Sequence, residues 1–188
     1  MAVDEDFILA MSEGISSVAP VNTAAPTGMD AATTPWEDLG AMSTDGLTNN
    51  NDETRTTFKR WGSIAVFKTV ITDKATTFEV TFLESNPVVL GVYHRMGSTP
   101  TPDSTSHIIS VVDDTTGTRD PRAFLFDVLD GTNHVRYYCP NAEVTATKAI
   151  EHKMDGLTSY GVTITAYPDE NGVAIARSYL LDAIVAGG

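Results

Sequence analysis

One cysteine, Cys139, in a chain of 188 residues excludes an intramolecular disulfide and any zinc site built on several thiolates. No apolar run approaches the roughly 18 residues of a membrane-spanning helix, so no membrane insertion is expected. The N-terminal stretch MAVDEDFILAMSEG carries acids where a secretory leader needs bases, which points to a cytoplasmic site of synthesis and folding. Bases are missing altogether before Arg55: residues 1–54 hold 10 of the 25 acids and none of the 12 bases. The remainder is close to balance, with 12 bases against 15 acids. A net charge of -13 lacks the basic footprint that neutralises phosphates, which argues against tight nucleic-acid binding and leaves repulsion of a nucleic acid open.

Reactive motifs are also missing. His94, His107, His134 and His152 never recur at the i, i+4 spacing of a helical zinc site. There is no G-x-S-x-G elbow, phosphate-binding loop or dinucleotide fingerprint. Cys139, in RYYCPN, reads as a small buried hydrophobe at a strand end rather than an activated thiol. No catalytic, cofactor-binding or metal-ligating residue is expected, and no cofactor.

What is present is ordinary globular content, 41% hydrophobic and 8% aromatic, enough for one domain with its own core. Residues 1–34 are rich in Ala, Ser, Thr and Pro and read as an extended arm with a short apolar anchor at Phe7, Ile8, Leu9 and Met11. Residues 35–188 read as the domain. Within it, TRTTFKRW, SIAVFKTVIT and TTFEVTFLE are dense in β-branched and aromatic residues, and TDKA is expected to turn the second into the third as a hairpin. Further strands are expected in SHIISVVDD, AFLFDVLD, HVRYYCP, AEVTATKAIEHK, YGVTITAYP and VAIARSYLL. One segment, ESNPVVLGVYHRMG, has helix signals: a cap at Ser85 or Asn86, Pro87 in the first turn, and Gly97 beyond the end. The fold class is therefore mainly β, a rolled β-sandwich or barrel with one short flanking helix, an extended N-terminal arm and a long inter-strand loop.

The order of these pieces resembles the major tail tube proteins of long-tailed bacteriophages, particularly the type found in phages of actinobacteria. The resemblance rests on Trp36, Asp38, Leu39 and Gly40 in a W-x-D-L-G entry, and on Asp45, Gly46 and Leu47. Trp61 follows, and then Thr77, Phe78, Phe82 and Glu84 in T-F-x-x-x-F-x-E, with Asn86 and Tyr93 in the helix after it. It is specific over residues 35–96 and looser beyond. It implies a structural virion protein, assembled in the host cytoplasm, whose copies form hexameric rings stacked head to tail. Its partners would be itself, a tape-measure protein and a tail terminator, with double-stranded DNA passing through an acidic channel during ejection. Glu79 and Asp127, acids in otherwise apolar strands, are candidates for the channel wall.

The stretch from Ser43 to Glu53 reads as a long acidic loop between strands, placed to touch an adjacent ring through Asp45, Gly46, Leu47, Asn49, Asn50, Asn51, Asp52 and Glu53. Shortening Thr48–Asp52 is then expected to leave the monomer folded but to impair tube formation. An alternative function is a β-sandwich adhesion or carbohydrate-binding module, with Tyr137, Tyr138 and Tyr160 stacking on sugars. A small hydrolase ranks last, because no carboxylates pair at a recognisable spacing.

Overall fold

The computed structural model describes residues 8–112, 117–182 and 184. Its elements are β1 (Glu13–Pro20), β2 (Glu37–Asp38), β3 (Thr48–Lys59), β4 (Val66–Phe82), α1 (Pro87–Tyr93), β5 (Arg122–Asp130), β6 (Asn133–Thr147), β7 (Tyr160–Ala166) and β8 (Ala176–Leu180). All strands join one antiparallel sheet in the order β2-β1-β5-β6-β7-β4-β3, with β8 on β6. Strand β6 pairs β5 from Asn133 to Ala142 and β7 from Ala142 to Thr147, and the sheet rolls around a single core. Phe78, Phe82, Phe124, Phe126, Val162 and Ile164 fill it, each 1% exposed or less. Phe78 and Phe126 pack with ring centroids 5.1 Å apart, and each such buried side chain contributes about 1.5–3 kcal/mol.

Helix α1 follows the local rules. The Asn86 side chain accepts a hydrogen bond from the Val89 amide at 2.8 Å, and Pro87 opens the first turn. Val89 and Val92 face the core. Gly91, a mild helix penalty in sequence terms, has a packing reason here. A Cβ added to it would sit 2.9 Å from Pro100 Cδ and 3.0 Å from the Ser98 carbonyl.

Several expected boundaries move. TDKA is not a turn: β4 runs unbroken for 17 residues, and a bulge opposite Thr54/Arg55 absorbs the misfit. The real turn lies between Lys59 and Val66. HVRYYCP and AEVTATKAIEHK merge into β6, because Pro140 sits at the bulge opposite Arg122/Phe124, one of the few sheet positions where proline is tolerated. Cys139 accordingly lies inside a strand, fully buried. SHIISVVDD forms no strand over its described residues. The expected arm 1–34 is not separate from the domain either. Its residues Glu13–Pro20 are β1, paired along their whole length with β5. Its small side chains gave no strand signal of their own.

Candidate self-association surface

Strands β3 and β4 are held by the body only at their roots. β4 pairs with β7 from Thr76 to Phe82; before Thr76 its only strand partner is β3. Residues 54–75 are therefore a two-stranded ribbon projecting from the domain. Isolated hairpins of this kind are marginally stable in water. The ribbon is nonetheless apolar: Phe58 is 51% exposed, Trp61 101%, Ile64 94%, Phe67 78% and Ile71 53%. Opposite residues of antiparallel strands share a face, so Arg55 lies beside Ile71 and Phe58 beside Lys68. Both faces thus mix apolar and cationic groups. The signal that locates this element in the sequence is charge: Arg55, Lys59, Arg60, Lys68 and Lys74 fall within it against one acid, Asp73.

Below the ribbon, the stretch expected as a loop divides in two. Ser43 to Gly46 form a tight turn, with the Gly46 amide donating to the Ser43 carbonyl at 2.9 Å. Leu47 packs against the core. Asn49, Asn50, Asn51, Asp52 and Glu53 belong to strand β3, not to a loop. Asparagine is disfavoured in strands, but here its amides are satisfied. Asn49 donates to the Thr77 carbonyl at 3.3 Å and Asn50 to Glu79 at 3.4 Å. Arg177 of β8 donates to Asn51 at 2.7 Å and to Asn49 at 3.3 Å.

Asp127 does not face solvent. It is 6% exposed, and Arg136, 3% exposed, donates to both its oxygens at 2.7 and 2.9 Å. Simple alternation fails because residues 22–36 cross the outer face of β5 and β6. Arg136 also donates to the carbonyls of Gly28 and Asp30 at 2.9 and 2.8 Å. Tyr138 donates to Thr23 at 2.7 Å and meets Trp36 edge-on. His134 Nε2 lies 3.0 Å from Asp127 Oδ1 without hydrogen-bonding geometry. A channel-facing role for Asp127 is thereby removed.

Glu79 does stand on an exposed face. Opposite and beside it lie Thr48, Asn50, Thr77, Thr81, Thr163 and Thr165, and Glu143 pairs with Thr165. This outer face of β3, β4, β7 and β6 is hydroxyl-rich, and two bases reach it from outside these positions: Arg119 is ion-paired with Glu143 at 2.7 Å, and the Lys148 stem lies over Gly161, the partner of Thr81. Of the expected anchor, Phe7 lies outside the described residues. Ile8 and Met11 are exposed and Leu9 is half-buried. The adjoining Ala10 and Ser12 amides donate to Asp130 and to the Leu129 carbonyl. Of the anchor residues, Met11 shares a cavity of about 670 Å³ with Asp45, Gly46, Leu47 and Asn49 of the turn and the start of β3.

The tyrosines offer no free sugar-stacking platform. Tyr160 is 6% exposed and hydrogen-bonded to Ser85 at 2.8 Å. Tyr138 is tied as above, and Tyr137 packs against Phe78. Burial pushes the Cys139 thiol up to about 12, far from a reactive thiolate. Among the described residues, no group of three His, Cys, Asp or Glu is placed to hold a metal.

The fold defines a β protein of one rolled sheet with extended exposed surfaces. A profile of the phage tail tube protein family matches residues 1–186; the chain belongs to that family and is a structural tail tube protein. No curated protein matches the sequence. Solved structures with a similar course include a chain of the virion of a native gene transfer agent particle. It shows 7% identity and TM-score 0.42, covering 79% of this chain and 92% of that one. Another is a chain of the anti-feeding prophage tube-terminating cap, with 12% identity, TM-score 0.45 and 96% and 95% coverage. A third is a chain of the sheath-tube complex of an extracellular contractile injection system in its extended state, at 9%, 0.40, and 93% of each chain.

Proposed function

We propose that copies of this chain close into hexameric rings, stack into a tube within the virion tail, and line a channel through which double-stranded DNA passes. The observation that carries the channel is the threonine-rich outer face of β3, β4, β7 and β6, where Glu79 stands exposed and the charge of Arg119 is taken up by Glu143. A wall of small hydroxyls with an exposed carboxylate and few bases gives phosphates little to bind, the inverse of counterion-release binding. Unpaired edges at β2 and β3 suit closure, because ring formation pairs edges that would otherwise invite aggregation. Assembly in the host cytoplasm, a tape-measure protein and a terminator belong to the same reading. So does a contact of the Asp45–Leu47 turn with the next ring.

Negative-stain electron microscopy of the purified protein tests it, with rings or tubes expected at high concentration. A Thr163→Lys/Thr165→Lys variant is expected to assemble but to retain duplex DNA at low salt. Monomers at every concentration, or an assembled double variant with no gain in DNA retention, would overturn the ring or the channel assignment respectively.

A further inference from the structure

Strand β6 outruns one of its neighbours. β5 begins at Arg122, opposite Ala142, and among the described residues no strand pairs β6 on that side from Glu143 to Thr147. The other side of this stretch is held by β7. The sequence explains the stop. If the ladder with β5 ran on, Pro121, Asp120 and Arg119 would fall opposite Glu143, Val144 and Thr145, but Pro121 has no amide hydrogen to donate. Asp120 is instead turned onto Arg122, whose Nε donates to both its oxygens at 2.9 and 3.0 Å. Arg122 also donates from Nη2 to the Gly91 carbonyl at 3.3 Å, and both side chains are buried. The lead-in to β5 is therefore anchored, and a cavity of about 690 Å³ lies beside Val144 and Thr147, bordered on its far side by Tyr93 to Gly97.

An open strand edge is a template for another strand, and proteins blunt such edges by covering them. Arg119 is placed to do this. It lines the same cavity, donates from Nε to Glu143 at 2.7 Å, and holds its guanidinium 5.0 Å from the centre of the Tyr167 ring. Tyr167 follows β7, with its amide bonded to the Asn141 carbonyl, so the Arg119 side chain crosses β6 from the β5 side to the β7 side. The crossing is held by contacts that break easily. The Arg119 side chain is 63% exposed, where ion pairs and cation–π contacts are weak and salt screens the former. We propose that Arg119 is a removable latch over the Glu143–Thr147 edge of β6, which keeps that edge closed in the free subunit and swings off when a strand of a second copy takes it. This rests on the ring reading and adds to it a residue that sets when subunits associate.

Two measurements test it. Arg119→Ala and Glu143→Gln are each expected to assemble at about tenfold lower protein concentration than the parent at low salt, with thermal unfolding unchanged. Light scattering and negative-stain electron microscopy give this threshold. The exchanged pair Arg119→Glu/Glu143→Arg should return it towards that of the parent. In about 1 M salt, where the screening length is roughly 3 Å, parent and variants should converge. In dilute, unassembled protein, the amides of Glu143 to Thr147 that β7 does not hold should exchange hydrogen faster in Arg119→Ala than in the parent. A parent that forms rings or tubes at the same threshold as both single variants would overturn the latch and leave the ring reading standing. Faster exchange in Arg119→Ala, with no rings or tubes from any of these chains, would keep the latch and overturn the ring reading. A lower melting temperature for Arg119→Ala together with a higher threshold would make Arg119 a brace of the sheet and overturn the latch.

Discussion

Arg136 is the residue whose loss should damage the subunit most for its size. Replacing it by Met removes both hydrogen bonds to Asp127 and leaves a carboxylate 6% exposed with no guanidinium. Breaking a buried pair from one side costs about 3–5 kcal/mol. The Gly28 and Asp30 carbonyls also lose their donor, but they are only part-buried and water can replace it. We therefore expect a loss of about 4 kcal/mol for Arg136→Met. The double variant Asp127→Leu/Arg136→Met, with both charges gone, should lie within about 2 kcal/mol of the parent. Urea unfolding of the unassembled protein measures this; with a slope near 2 kcal/mol per molar, the midpoint of the single variant falls by about 2 M. Hydrogen exchange should show amides of residues 22–36 losing protection first. A single variant within about 1 kcal/mol of the parent, or a double variant as unstable as the single, would refute the clamp.

The remaining expectations are smaller in scope. Deleting Thr48–Asp52 should now destabilise the monomer, seen as a lower melting temperature. Five residues leave β3, an odd number that flips every later side chain to the other face and removes the partners of Arg177. Asn86→Ala should cost about 1 kcal/mol in chemical denaturation through loss of the α1 cap. Cys139 should resist a thiol reagent at pH 8 in the native state and react at once in denaturant. Because its folded pKa is raised, its contribution to stability is fully present below the unfolded thiol value near 8.5. It is then lost as pH rises towards about 12, which unfolding at stepped alkaline pH can follow against Cys139→Ser.

Elements governed by neighbours in sequence were legible, and those governed by distant partners were not. The α1 cap, Pro87 and the β-branched and aromatic residues of β5 and β7 announce themselves because capping and strand preference act locally. Strand β1 does not, since EGISSVAP becomes a strand by pairing with residues more than a hundred positions away. TDKA and Pro140 mislead because turns and bulges use the same residue chemistry, and only the partner strand decides which forms. The reading of Asp127 fails for a similar reason: nothing beside it in sequence shows that residues 22–36 will cover it. Glu79, on a face left open, follows the alternation expected of it. The ribbon could have been found from its cluster of bases, but its apolar groups look like core until their lack of a partner is seen.

The length of β4 has a mechanical meaning. Seventeen residues at about 3.3 Å each span roughly 56 Å, so one uninterrupted strand runs from the exposed ribbon to Phe78 and Phe82 in the core. A pull on the ribbon travels along that strand to the stretch from Thr76 to Phe82 bonded to β7. Antiparallel hydrogen bonds lie across the strand axis, so this load reaches them as shear, shared by the whole row rather than taken one bond at a time. The strand is a tension member anchored in the hydrophobic core, and a subunit gripped by its ribbon would give way elsewhere before it gave way there.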